Sequence, residues 1–312
     1  MGPSKSQQIE KLELPWSEYI PWQPTAKQLA FLLLPVREAL YGGAAGPGKS
    51  VALLMAALQY ADCPDYAALL LRRTFKELTL PQALMDLAQQ WLTPTDARWH
   101  DAESAWQFPS GASLSFGYLA DPKDKYRYQS AEFQFIGLDE LTQFPELDYL
   151  YMFSRLRRKI DSKIPLRMRG ASNPGGLGHV WVKQRFMAEG NEERFYLRAT
   201  LEDNPYLDKE SYIKSLEELD PITRQQLLAG DWSARHGGSK FRREWFEIIE
   251  IAPSEGKRVR AWDLASTEAK KGQDPDWTVG CLMKQTPSSM WYLESIVRSR
   301  GTPGAVENLI RQ

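Results

Sequence analysis

The sequence predicts an α/β protein built on a mainly parallel sheet, and three observations carry that prediction. Gly43-Ala44-Ala45-Gly46-Pro47-Gly48-Lys49-Ser50 stands between a short, mostly apolar stretch, Val36 to Tyr41, and a strong helix former, Val51 to Leu58. Strand, glycine loop and helix in that order let backbone N–H groups and the positive end of the helix close around a phosphate. About ninety residues further on, the apolar run Phe133 to Leu138 ends in Asp139-Glu140, two acids delivered by the end of a buried strand. Other apolar runs, Tyr66–Leu71 and Leu166–Ala171, alternate with helical patterns, as parallel strands joined by crossover helices do.

The residue types in the two stretches specify a chemistry. Gly43, Gly46 and Gly48 free the backbone to wrap a phosphate. Lys49 is placed to reach β- and γ-phosphates, and the Ser50 hydroxyl to ligate Mg²⁺. Asp139 would hold the same ion through its water shell, while Glu140 would orient and deprotonate an attacking water. A glutamate directly after that aspartate points to hydrolysis rather than passive nucleotide binding. The expected fold is therefore a P-loop ATPase of the ASCE type, with ATP and Mg²⁺ as its cofactors.

Composition bounds the remainder. A chain of 312 residues with 43% hydrophobic side chains suggests about two domains and an ample core. No run of eighteen apolar residues occurs, and Met1 to Glu10 is polar rather than charged-then-apolar, so the expectation is a cytoplasmic protein without a membrane span. The two cysteines, Cys63 and Cys281, lack metal-ligand spacing. With 39 basic and 40 acidic side chains, bulk charge does not advertise nucleic acid, and any DNA contact must come from local patches.

In chain order, residues 1–24, with Trp16, Trp22 and four prolines, read as an extended arm packing by its aromatics. Pro24 to Gln28 followed by Leu29 to Leu34 reads as a capped helix. Gln28, just ahead of the glycine loop, either reads adenine with its amide or is a solvated helix-start residue. Tyr41 packs on a base or fills the sheet face. Tyr66–Leu71 ends in Arg72-Arg73, arginines that touch phosphate or pair with nearby acids, and Phe75–Leu92 reads as helical despite Pro81. Ala105–Phe108 and Ala112–Tyr118 flank Pro109-Ser110-Gly111 as a hairpin, and Asp121–Ser130 is polar, with Lys123, Lys125 and Arg127 available. Tyr151–Arg169 is the most basic window. Its Arg155, Arg157, Arg158 and Lys159 suit a phosphate backbone, or form a solvated helix face. Leu166–Ala171 then ends in Ser172-Asn173-Pro174-Gly175-Gly176, polar residues that sense a γ-phosphate or make a plain turn.

This order of motifs resembles one family, the large terminase subunit of tailed double-stranded DNA phages. The resemblance rests on Pro24–Gln28, Gly43–Ser50, Leu138-Asp139-Glu140-Leu141-Thr142-Gln143-Phe144, Ser172–Gly176, Asp203-Asn204-Pro205-Tyr206-Leu207 and Gly230-Asp231-Trp232. It implies a motor that translocates double-stranded viral DNA into procapsids as a pentameric ring on the portal protein, with the small terminase subunit as a further partner. The implied location is the host cytoplasm and, transiently, the procapsid. By the same resemblance Ser172 and Asn173 look like the motif coupling hydrolysis to movement, and Gln28 like the adenine reader. A neighbour's arginine would complete each site. Arg127 is the candidate, with Arg72, Arg73 and Arg155 left open.

The ATPase is expected over residues 25–235, a glycine-rich linker over 236–256, and a new unit over 257–312. Val259–Ala265, Trp277–Met283 and Met290–Val297 read as strands of an antiparallel set. The resemblance implies that this is the start of an RNase H-like nuclease, with Asp263 as its first ligand for Mg²⁺ or Mn²⁺ and Asp276 nearby. Two-metal nucleases need several carboxylates, and the sequence ends at Gln312 with one firm acid in view. A partial nuclease domain without DNA cleavage of its own is the expectation. The rival readings are another P-loop nucleic-acid ATPase such as a helicase, or a nucleotide-switched assembly component without turnover, which Glu140 argues against.

Overall fold

Strands that are apolar on both faces must be covered on both sides, and crossover helices supply the cover. The computed structural model describes residues 16–188, 193–234, 246–265 and 276–311, which fall into two contact units, one ending at residue 236 and one beginning at 237. In the first unit the elements run α1 (Ala26–Leu33), β1 (Glu38–Gly43), α2 (Lys49–Leu58), β2 (Ala67–Arg72), α3 (Phe75–Leu78), α4 (Leu84–Leu92), β3 (Arg98–His100), β4 (Ala105–Gln107), β5 (Ser113–Tyr118) and β6 (Phe135–Asp139). They continue with α5 (Glu146–Phe153), β7 (Arg167–Ser172), α6 (His179–Met187), β8 (Arg194–Ala199), α7 (Lys209–Glu217) and α8 (Pro221–Ala229).

The strands form one sheet in the order β3-β4-β5-β2-β6-β7-β1-β8. Pairing is parallel from β5 to β8 and antiparallel between β3 and β4 and between β4 and β5 at one edge, so β4 alone of these strands runs against the others. Side chains alternate between two cores: Ala68, Leu70 and Phe135 face one, whereas Leu69, Leu71, Ile136 and Leu138 face the other. Helix α2 is buried from Ala52 to Leu58 beneath the first face, which is why its sequence is apolar all round. This strand order sets the two motifs on either side of a single strand. β7 lies between β1, which leads into the glycine loop, and β6, which ends in the two acids.

The structure decides some expectations and corrects others. Phe75–Leu92 is two helices broken around Pro81, because proline cannot donate to a continuing helix. The hairpin is present as β4 and β5, but β5 pairs in parallel with β2, so it extends the main sheet, and the three-residue β3 was not foreseen. The arm, of which residues 1–15 lie outside the described residues, packs through Tyr19 and Ile20, whereas Trp22 stays 64% exposed. Tyr41 fills the sheet face, its ring 5.3 Å from that of Phe31. The basic window is not a helix: α5 ends at Phe153 and the chain is irregular up to β7, where Arg169 turns inward, 1% exposed, donating to the carbonyls of Leu34, Val36, Arg37 and Met168.

In the second unit β9 (Lys257–Asp263), β10 (Thr278–Gln285) and β11 (Trp291–Ser299) form an antiparallel sheet in the order β11-β10-β9, followed by α9 (Pro303–Arg311). The stretch read as a linker lies outside the described residues up to 245. Among the described residues no helix is long and apolar enough to cross a membrane.

Candidate nucleotide site

The glycine loop is shaped by what crowds it. At Gly43, with φ 135°, a β-carbon would come within 2.4 Å of the Ala199 carbonyl oxygen, so only glycine fits. Gly48, with φ 78°, caps α2 and faces the Gln28 amide. The Ala44 N–H donates to the Ala199 carbonyl at 2.9 Å and the Ala45 N–H to the Leu227 carbonyl at 2.7 Å, which fastens the loop to β8 and α8. Asn204 Nδ2 donates to the Gly46 carbonyl at 2.7 Å.

Within this frame the four expected groups converge. Lys49 Nζ donates to the Ala44 carbonyl at 2.6 Å and to Asn173 Oδ1 at 2.5 Å. Ser50 Oγ lies 3.0 and 3.1 Å from the two oxygens of Asp139. Arg72, at the end of β2, brings Nε to 3.2 Å from Asp139 Oδ2, close enough for an ion pair but off the line of a hydrogen bond. Glu140 follows in the left-handed region, φ 53° and ψ 54°, a conformation unusual for a side chain with a β-carbon. This sharp exit from β6 keeps its carboxylate beside the site instead of along the sheet.

Electrostatics show groups held against their preference. Burial lowers the Lys49 ammonium to about 8, opposed by Glu140 and Asp139. Burial raises the Asp139 carboxyl, against the pull of Arg72, the Ser50 hydroxyl and Lys49. Burial also raises Glu140, with Asp139 adding to the shift and Lys49, Arg72 and the Asn173 N–H opposing it. The charged forms lack enough partners inside the protein, as in a site built for a charged ligand.

β7 delivers Ser172 and Asn173 between the two motifs. Ser172 Oγ accepts from the Thr142 N–H at 3.1 Å and sits 2.9 Å from Thr142 Oγ1, tying the turn after Glu140 to β7. Asn173 therefore touches Lys49 on one side and Glu140 on the other. Beside the loop is a cavity of about 410 Å³ whose walls include Trp22, Gln28, Met55, Trp91, Asn204 and Tyr206. Gln28 there uses its amide internally: Oε1 accepts from the Thr25 N–H at 2.9 Å, and Nε2 donates to the Gly48 carbonyl at 3.1 Å.

The remaining expected residues lie apart. Arg127 is half-exposed, paired with Asp124, its guanidinium 4.3 Å from the Tyr118 ring centroid. Arg73 turns to Asp148 at 3.6 Å, and Arg155 donates to the Gln129 carbonyl. Arg157 pairs with Glu132 at 3.6 Å, Arg158 donates to the Ile164 carbonyl at 2.8 Å, and Lys159 pairs with Asp65 at 2.9 Å. These residues follow α5 near the amino-terminal ends of the strands, as the Phe133–Leu156 bridge and Asp65 ahead of β2 indicate. Asp263 ends β9, exposed, and among the described residues no three acids, histidines or cysteines gather to hold a metal. Sequence reasoning missed Asn204 as a loop partner and left Arg72 undecided, because both contacts depend on strand neighbours that the sequence does not name.

Fold and site together define a P-loop protein of the ASCE type: a strand intervenes between the two phosphate-site strands, and a glutamate follows the acidic strand end. Residues 40–248 match the family described as terminase large subunit, T4likevirus-type, N-terminal, and the chain belongs to that family. No curated protein matches the sequence. Among solved structures, the large terminase of a thermophilic bacteriophage is similar over 93% of this chain and 74% of its own, with a TM-score of 0.59 and 15% identity. That protein has also been solved with ADP and with ATP-γ-S. The large terminase ATPase domain of Thermus phage P74-26 is similar over 69% of this chain and 96% of its own, with a TM-score of 0.52 and 14% identity. The HK97 bacteriophage large terminase is similar over 93% and 66%, with a TM-score of 0.54 and 12% identity. At these identities the likeness is one of fold.

Proposed function

We propose that this chain hydrolyses ATP and uses the energy to translocate double-stranded viral DNA into procapsids. The observation that carries the reading is the meeting of Lys49, Glu140 and Asn173 at the end of β7. A phosphate-reaching cation, a carboxylate and a strand that senses both stand within one hydrogen-bonded group. Lys49, released from the Ala44 carbonyl, would engage the β- and γ-phosphates. Glu140, with its carboxyl raised by burial, would take a proton from the attacking water. Ser50 Oγ and the Asp139 carboxylate are hard oxygen donors about one hydrogen bond apart, a set that suits Mg²⁺, which when bound would offset negative charge on the phosphates. The cavity beside Gln28, with Trp22 and Tyr206 at its wall, has the size and aromatic lining for an adenine base. Binding of ADP and ATP-γ-S by the large terminase of the thermophilic phage supports the nucleotide assignment.

In the packaging machine Ser172 and Asn173 would pass the state of the γ-phosphate to the rest of the subunit. Arg155, Arg157, Arg158 and Lys159 would exchange weak surface pairings for DNA phosphates. The subunit would work as a pentameric ring on the portal protein, supplied with DNA by the small terminase subunit, in the host cytoplasm and on the procapsid. Half-exposed Arg127 would enter a neighbour's site and stabilise the phosphoryl-transfer transition state, an effect of about 10³–10⁵ in rate. The second unit would be the opening of an RNase H-like nuclease domain. Asp263 alone among the described residues does not fit a two-metal centre, and no cleavage step is assigned to it.

The test is ATP turnover by the 312-residue chain against its own concentration, with and without linear duplex DNA. A specific rate that rises steeply with concentration supports a site completed between subunits, and a strictly proportional rate removes Arg127 from the mechanism. Glu140→Gln should keep nucleotide binding and lose about 10³-fold in turnover. Unchanged turnover would sink the hydrolytic assignment.

A further inference from the structure

We infer that His179 is the positioning residue that links the γ-phosphate-sensing turn to the segment 226–234, so that a change at Asn173 reaches α8. The inference rests on the nucleotide reading above. His179 begins α6 and is 5% exposed. Its Nδ1 accepts the Gly175 N–H at 2.8 Å, and its Nε2 lies 3.1 Å from the Trp232 carbonyl oxygen. A carbonyl only accepts, so Nε2 carries the proton, and both bonds are satisfied by one neutral tautomer. The imidazole also packs against the Trp232 indole at 5.3 Å, whose Nε1 donates to the Tyr196 hydroxyl at 3.0 Å.

Each segment joined in this way already touches the site by another route. Upstream of Gly175, Asn173 meets Lys49 and Glu140. Upstream of Trp232, the Leu227 carbonyl accepts from the Ala45 N–H, and Gly230 lies so close to the loop that a β-carbon there would fall 2.4 Å from the Ala44 nitrogen. Gln226, whose Nε2 donates to the Ala234 carbonyl at 2.7 Å, is the side chain that a β-carbon at Gly175 would meet. The result is a closed circuit from phosphate loop to α8, to Trp232, to His179, to the Gly175 turn and back to Lys49. Gly175 and Gly176 have φ of 107° and 77°, a pair of glycines in the left-handed region that gives the turn after Asn173 more backbone freedom than other residues would. The imidazole removes that freedom by holding the Gly175 N–H. Coupling through such a chain needs a packed, hydrogen-bonded path between two segments, and this one has both.

Two near-isosteric variants of the full chain separate the two bonds. His179→Asn keeps an acceptor for Gly175 and loses the reach to Trp232, whereas His179→Gln keeps a donor for Trp232 and loses the acceptor. The measurements are ATP-γ-S affinity, kcat and KM for ATP, and hydrogen exchange of backbone amides in 221–234 with and without ATP-γ-S. In both variants affinity should stay within about twofold of wild type. The kcat should fall about tenfold, and the nucleotide-dependent change in exchange at 221–234 should vanish. Wild-type kcat and exchange in both variants overturn the inference, as does a loss of kcat matched by an equal loss of nucleotide affinity. The wild-type chain provides an arm that no folding defect can spoil: exchange at 221–234 that ignores bound nucleotide also overturns it. A wild-type chain that binds ATP-γ-S without hydrolysing ATP defeats the hydrolytic reading instead, and the exchange arms still decide the role of His179.

Discussion

The two edges of the large sheet bury charge in opposite ways. At the amino-terminal edge Glu38, 4% exposed, receives Arg185 Nε at 2.8 Å, Arg185 Nη2 and Arg194 Nε at 3.1 Å each, and the Tyr149 hydroxyl at 2.7 Å. Burial would raise its carboxyl, yet the hydrogen bonds from Arg185, Tyr149 and Arg194 outweigh it and hold the carboxyl below its ordinary value. At the carboxyl-terminal edge Lys49 and Asp139 are buried and Glu140 is half-buried, but there desolvation prevails and pushes each toward its neutral form. Full hydrogen bonding marks a pin that holds architecture together. Incomplete compensation marks a place where a charged ligand is expected to supply the rest.

That contrast can be broken by substitution. The largest effect should come from Lys49→Met, which lowers ATP turnover by at least about 10³-fold, while the nucleotide-free protein melts no lower than wild type at neutral pH. A clear drop in melting temperature would mean that Lys49 is a structural ion after all. Glu38→Gln should do the reverse. Leaving two arginines without their anion costs about 3 kcal/mol in denaturant unfolding, with turnover per folded molecule unchanged. Tyr149→Phe, which removes one of the hydrogen bonds to Glu38, should cost about 1 kcal/mol in the same assay.

The pH dependence sharpens the comparison. The folded pKa of Lys49 is depressed from 10.5 to about 8, so its contribution to stability is present above 10.5 and lost as pH falls through 8. Wild type should thus gain stability relative to Lys49→Met between pH 8 and 10.5. Glu38 also has a depressed pKa, and its contribution is present above 4.5 and lost as pH falls through the folded value. Acid unfolding of wild type and Glu38→Gln should converge there, whereas the Lys49 variant should track wild type.

The contrast also explains what could be read in advance. The phosphate loop and the acidic strand end were legible because their constraints are local: positive φ at Gly43 and Gly48, and an apolar strand leading to Asp139. The hairpin at Ser110-Gly111 was legible for the same reason. The Glu38 pin was not, since Arg185 and Arg194 lie some 150 residues away in sequence; Arg194 meets Glu38 because β8 pairs with β1, and Arg185 reaches it from α6. Arg72 reaches Asp139 only because β2 is the neighbour of β6. The basic window Tyr151–Arg169 counts Arg169 among its charges, yet Arg169 spends its donors on carbonyls that precede β1, a partnership set by strand pairing and not by local sequence. In the described part of the arm the aromatic that packs is Tyr19, hydrogen-bonded through its hydroxyl to Asp96 at 2.7 Å, whereas Trp16 and Trp22, the residues that stood out in the sequence, are more exposed.

The ion pair between Arg72 and Asp139 has an electrical consequence. In their charged forms Lys49 and Arg72 are two cations and Asp139 and Glu140 two anions, so these four side chains of one subunit cancel among themselves. A metal–triphosphate is a net anion, and its arrival leaves this balance negative in a region where low dielectric makes imbalance costly. The four side chains hold no surplus positive charge to restore neutrality. In the ring proposed above, a neighbour's cation would restore that balance, and a subunit working alone should hold its nucleotide less tightly than one beside a neighbour.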